Sequence, residues 1–169
     1  MKELVRPNGL HFKVGSLEWL NFFGLPLGLI GMGLISAYFY FQSTDTVKEE
    51  VFLFTFLLTL IVGIFGYWNQ TRKLKFKVFK LSEDLESFRR SVRLLLLEKK
   101  WRIDYDNQQF LIASSKSQFY GCDMITIRFK KNTIGWNVIE HPHTYNSGAA
   151  LFSRNSNGKK MMMAIKACA

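Results

Sequence analysis

Residues able to do chemistry are sparse in this chain, and their spacing serves catalysis poorly. His141-Pro142-His143 sets two imidazoles near each other, a pattern that could ligate a metal. No Cys or carboxylate cluster completes a ligand set, and Glu140 alone does not supply one, so a polar loop after a strand is the expectation there. Cys122 and Cys168 lack metal-ligand spacing and suit a reducing compartment. There is no Ser-His-Asp set, CxxC pair or glycine-rich phosphate loop. Gly31-Met32-Gly33 and Gly63 to Gly66 fall inside apolar runs, where they could not cradle phosphate. Met161, Met162 and Met163 are successive, so they cannot share one helix face and read as core filling or a partner contact. No catalytic residue, metal or cofactor is assigned, and the expectation is a protein that is not an enzyme.

The residues that do cluster are cations. Arg72, Lys73, Lys75, Lys77 and Lys80 crowd one short segment. The formal net charge is +10, and from Thr71 onward 19 Lys and Arg face 8 Asp and Glu, so the excess sits in the C-terminal part. Anionic lipid headgroups are the partner these five residues suggest, since each Lys or Arg near an acidic leaflet contributes about 1 kcal/mol. The plainer reading is that they only set membrane orientation. Aromatic residues interleave with basic ones in Lys73 to Lys80 and Trp136 to Tyr145, as at nucleic-acid surfaces, but no RNA-binding signature accompanies them and nucleic acid is set aside.

Two apolar runs must position that basic segment. Leu20 to Tyr40 is 21 residues without a charge and Val51 to Trp68 is 18. As helices they would extend about 31 Å and about 27 Å, against a hydrocarbon core of about 30 Å. Soluble core helices are seldom this long without a charge, and the first run exceeds a signal-peptide core and lacks a cleavage site. A polar turn, Gln42 to Glu50, separates the runs, so they predict a transmembrane hairpin. Lys2, Arg6 and Lys13 precede the first helix, and the five cations follow the second, while the turn is acidic on balance. Both termini are therefore expected in the cytoplasm, with Trp19, Tyr38, Tyr40, Tyr67 and Trp68 as interface anchors.

Small residues recur four apart on both helices: Gly24 and Gly28, Gly33 and Ala37, then Thr55, Thr59 and Gly63. In lipid such faces let backbones approach closely; the plainer reading is that they pack against each other within the hairpin, and the sharper one leaves a face for another protein. Pro26 is expected to bend the first helix. Neither run contains Asp, Glu, Lys, Arg, His or Cys. Ion pathways and proton relays need ionisable groups in the membrane, and haem needs an axial ligand such as His, Cys or Tyr, of which only Tyr is present, at the run ends; transport, conduction and electron transfer are therefore not expected of this chain alone.

The rest reads as a small α+β domain. Leu74 to Lys80 alternates as a strand would, and a continuation of the second helix competes with it. Ser82 as N-cap, acids in the first turn, and Leu85, Phe88, Val92, Leu95 and Leu96 at helical spacing predict a helix from Glu83 to Lys100. Leu94 and Leu97 lie off that stripe, which predicts a helix end buried on more than one side and marks both as partner contacts. Trp101, Ile103 and Tyr105 alternate, Asp106-Asn107 turns, and Phe110 to Ala113 returns. Met124 to Phe129 and Ile134 to Ile139 form a second hairpin about Lys131-Asn132. Asn157-Gly158 precedes a final helical run, Lys159 to Ala167.

The expected architecture is thus a transmembrane hairpin plus a cytoplasmic domain of one helix, a four-stranded antiparallel sheet and a C-terminal helix. Its parts are a polar leader at 1–16, the hairpin at 17–70 and the basic domain at 71–169. The layout looks like that of many small bacterial membrane proteins, so the plasma (inner) membrane is the expected location. The expected function is non-catalytic: an accessory or assembly subunit, or scaffold, with the bilayer and a membrane protein or a second copy as partners. The rival is a membrane-anchored ligand- or lipid-sensing domain with an apolar pocket between the Glu83 to Lys100 helix and the sheet.

Overall fold

The computed structural model describes residues 5–6, 8–43, 46–115, 122–142 and 156–169. Two long helices pack antiparallel against each other: α1 (Leu17–Gln42) and α2 (Thr46–Lys73). Ser16 caps α1, its Oγ accepting the Trp19 amide at 3.2 Å. Both helices are long and apolar enough to cross a membrane. Much of the segment expected as a turn is helical, because α2 begins at Thr46, and α2 also runs past Trp68 to Lys73.

The remainder is built on a five-stranded antiparallel sheet, one strand more than expected. Its strands are β3 (Lys77–Lys80), β4 (Arg102–Asp106), β5 (Phe110–Ser114), β6 (Asp123–Lys130) and β7 (Thr133–Glu140), in the spatial order β3-β7-β6-β5-β4. Helix and strand thus share the segment over which they competed. The helix ends at Lys73, and Lys77 to Lys80 then pair with Trp136 to Thr133 of β7. Two short strands, β1 (Val5–Arg6) and β2 (Gly9–Leu10), form a hairpin in the leader.

Each face of the sheet is covered by a different part of the chain. On one face lie α3 (Leu85–Glu98) and α4 (Ser156–Ala167). Phe88, Val92 and Leu96 of α3, with Met162 and Ile165 of α4, are buried against Leu111, Ile125, Ile127 and Ile134. The opposite face carries Ile112, Met124 and Ile139, and these bury Leu10 and Phe12 of the leader, Phe22 and Phe23 of α1, and Leu74 after α2. Phe22 and Phe23, expected inside the membrane run, therefore belong to the domain core. The leader is anchored by the Leu10 amide donating to the Leu74 carbonyl at 2.9 Å. At Gly9 a Cβ would sit 2.5 Å from that carbonyl oxygen, so only glycine fits.

Local departures from expectation have local causes. Asp84 rather than Ser82 caps α3, its carboxylate accepting the Glu86 and Ser87 amides. Lys99 is the C-cap and Lys100 has left-handed φ 59°, while the Trp101 amide reaches back to the Leu96 carbonyl at 2.8 Å. That closure satisfies end carbonyls of the helix but places a lysine where glycine is favoured. A bulge between Ile103 and Tyr105 flips the β4 alternation. Ile103 thus packs toward α3 and Tyr105 toward the hairpin, instead of sharing a face. Asn157 and Gly158 lie inside the first turn of α4, not before it. Leu94 and Leu97 are 63% and 60% exposed, so nothing among the described residues covers that side of α3. On its other flank, Arg89 and Arg93 both bond the Asp106 carboxylate, and Arg89 also donates to the Asn107 carbonyl at 2.6 Å.

Candidate functional site

Helix α2 leaves three residues, Leu74 to Phe76, before β3. A helix end exposes carbonyls with no partner in the helix. Here Asn137 of β7 supplies them: its side-chain Nδ2 donates to the Lys73 carbonyl at 2.6 Å and the Lys75 carbonyl at 2.9 Å. Asn137 is 3% exposed, so these bonds are sheltered from water. The last turn of α2 is therefore fastened to the sheet by one amide.

Beside this junction lies a cavity of about 470 Å³. Arg72, Lys73, Lys75 and Lys77 line it from the chain's exit, Trp136 and Val138 from β7, and Lys159, Met162, Met163 and Lys166 from α4. The helical spacing of Lys159, Met162 and Lys166 puts them on one side of α4. The cations stand around an aromatic floor: Lys166 Nζ lies 4.8 Å and Lys77 Nζ 5.2 Å from the Trp136 ring centre. Arg72 stacks 4.3 Å over Trp68, toward the apolar part of α2. No Asp or Glu is among the lining residues, so the cavity combines six cations with an apolar floor. Such a surface suits an anionic amphiphile.

Two carboxylates flank the site. Asp123 and Glu140 are opposite each other on β6 and β7. Burial pushes Asp123 up, against the opposing pull of the amides of Gly158 and Asn157 and the charge of Lys159. Glu140 is also raised, by burial and then by Asp123, and Lys73 opposes the shift. The Gly158 amide donates to Asp123 at 2.7 Å, fastening the start of α4 to the sheet. A Cβ on Gly158 would meet Val138 at 2.3 Å.

Of the five cations read as lipid contacts, Arg72, Lys73, Lys75 and Lys77 line the cavity, while Lys80 is exposed on β3 outside its lining. The small-residue positions also divide. A Cβ on Gly33 would lie 2.9 Å from Thr59 Oγ1, and one on Gly63 would lie 2.7 Å from Ile30 and 3.0 Å from the Pro26 carbonyl, so these positions meet across the helix pair. Gly24 and Gly28 have nothing within 4 Å of such an atom. Thr55 and Thr59 bond carbonyls of their own helix, at Val51 and Thr55, and Ala37 is half-buried. Leu94 and Leu97 stand apart on α3. The pocket expected beneath α3 is filled by Phe88, Val92 and Leu96. A second cavity of about 500 Å³ lies between the end of α3 and α4, lined in part by Lys99, Trp101 and Met161.

Met161 and Met162 are buried and Met163 is 71% exposed, so the run divides between core and cavity rim. His143 lies outside the described residues. The His141 amide bonds the Cys122 carbonyl, and the Pro142 carbonyl accepts from Asn21 of α1. Among the described residues no group of three His, Cys, Asp or Glu is placed to hold a metal. Sequence alone gives Asn137, Lys159 and Lys166 no role, and Trp136 enters only as part of an aromatic–basic stretch that is set aside. The spacing of the two lysines about Met162 was the one available signal for the α4 side. No family model, curated protein or solved structure matches this chain.

Proposed function

We propose that the chain is a non-catalytic two-pass integral membrane protein, an accessory or assembly subunit or scaffold of a larger membrane complex. Its cytoplasmic α+β domain is held in fixed attitude at the inner leaflet of a bacterial plasma membrane. The observation that carries this reading is the outer surface of the helix pair. Leu34, Phe54, Ile61 and Phe65 are each more than half exposed, and no Asp, Glu, Lys, Arg or His lies in either apolar run. Water would penalise such a surface and lipid would not. The leader and the sheet touch, which supports placing both termini on one side. The positive residues around Arg72 support making that side cytoplasmic.

Purification from native membranes in mild detergent tests the proposal. A larger membrane protein at fixed stoichiometry is the expected result, and a monomer with no co-purifying protein would overturn the subunit reading. The cationic cavity favours a second reading, a membrane-anchored lipid-binding domain.

A further inference from the structure

We propose that the cavity between the α2 exit and α4 is a binding site for the headgroup of an anionic phospholipid carrying more than one negative charge. The inference rests on the hairpin lying in a bilayer. Three observations lead to it. The first is depth. Trp68 is an interface residue by type and position, and Lys73 lies five residues further along α2, about 7.5 Å at the helical rise. The headgroup layer of one leaflet is about 5–8 Å thick, so the cavity mouth is level with lipid phosphates rather than free in the cytosol.

The second observation is charge. Six cations converge from two segments far apart in sequence, and the lining contains no carboxylate. A topology signal needs only the α2 flank. It gives no reason for Lys159 and Lys166, more than eighty residues on, to complete a ring. Several cations in one cavity suit an anion with two or more charges better than a single phosphodiester. The third is the floor. Trp136 and Met162 are almost wholly buried beneath the cations, and Met163 is exposed at the rim. An apolar floor under a cationic ring fits an amphiphile with glycerol and acyl carbons close to its phosphates, where a free phosphate would find no use for it.

The test is lipid binding by the full chain in phosphatidylcholine nanodiscs doped with phosphatidylglycerol (one charge) or cardiolipin (two phosphates), read by native mass spectrometry and Trp fluorescence. Wild type should retain cardiolipin in preference to phosphatidylglycerol. Lys159→Gln with Lys166→Gln should weaken cardiolipin binding about 30-fold, about 5-fold per lysine. These exposed residues leave the orienting flank intact, so insertion should not change. Lys130→Gln with Lys131→Gln removes equal charge in the β6–β7 turn and should leave binding within about 2-fold. Equal losses in the two double variants would mean diffuse surface attraction and overturn the site. So would an equal affinity of wild type for phosphatidylglycerol and cardiolipin. Inorganic phosphate or glycerol phosphate in the buffer should not compete at millimolar concentration, and displacement by either would assign the cavity to a soluble phosphorylated ligand instead. A chain that fails to enter nanodiscs at all would overturn the membrane reading and the lipid source together. One that enters and shows no preference overturns the site alone.

Discussion

Replacing Asn137 by Ala removes the amide that fastens the end of α2 to the sheet. Two sheltered hydrogen bonds are lost, to the carbonyls of Lys73 and Lys75, at about 1 kcal/mol each. The expected destabilisation of the junction is about 2 kcal/mol, or about 30-fold in a local opening equilibrium. Asn137→Asp is the sharper variant, because it keeps the side chain's size and presents acceptors to carbonyl oxygens, so its cost should be at least as large. Hydrogen exchange of the peptide spanning 72–80, followed by mass spectrometry in micelles, reads the effect directly. Protection there should fall about 30-fold in both variants, while peptides from α3 stay close to wild type. Unchanged protection of 72–80 in Asn137→Asp would refute the idea that this amide holds the junction.

Other outcomes follow from the same geometry. Gly63→Leu should lower the thermal midpoint in micelles through overpacking of about 1–3 kcal/mol, whereas Gly28→Leu should be nearly neutral because nothing lies within 4 Å of its added atom; equal effects would refute the crossing point. Asp106→Asn should cost about 2–3 kcal/mol at neutral pH, chiefly by depriving the buried Arg89, since the half-exposed Arg93 contributes little. Partial burial lifts the Asp106 pKa, but the hydrogen bonds and charges of Arg93 and Arg89 outweigh it and hold the group below its ordinary value. Its stabilisation is present above the unfolded pKa and fades as pH falls through the depressed one. The gap between wild type and variant in urea midpoint should therefore close in acid. Lys100→Gly should stabilise by about 0.5–1 kcal/mol, relief of the left-handed backbone outweighing the added freedom of the unfolded chain. A reporter fused after Ala169 should be active only in its cytoplasmic form, and the opposite result would overturn the orientation.

Helix α3 was legible because one stripe carries its burial: Phe88, Val92 and Leu96 are spaced by one turn and wholly buried. The hairpin strands were legible from alternation and from Asn107, whose side chain accepts the Gln109 and Phe110 amides. Alternation could not reveal the bulge before Tyr105, because a slip of period shows only against a partner strand. The doubly covered sheet did leave a trace. Phe110 to Ala113 is a continuous apolar run, as strands buried on both faces tend to be, and it was read simply as a return strand. The cavity was half visible. Arg72 to Lys77 declared themselves as a cluster, but only tertiary folding brings Lys159 and Lys166 beside them.

The leader packed beneath the sheet has a consequence for biogenesis. Leu10 and Phe12 are translated well before the surface that shelters them is complete, because that surface includes Ile139 of β7. About 130 residues separate Leu10 from Ile139, and at about 5–20 residues per second they take about 6–26 s to make. Through that interval Leu10 and Phe12 lack the strand that covers them in the folded chain. β7, the last strand among the described residues, closes over this earlier segment. The same event packs Phe22 and Phe23 of α1 against the sheet, so the helix pair and the sheet finish folding together.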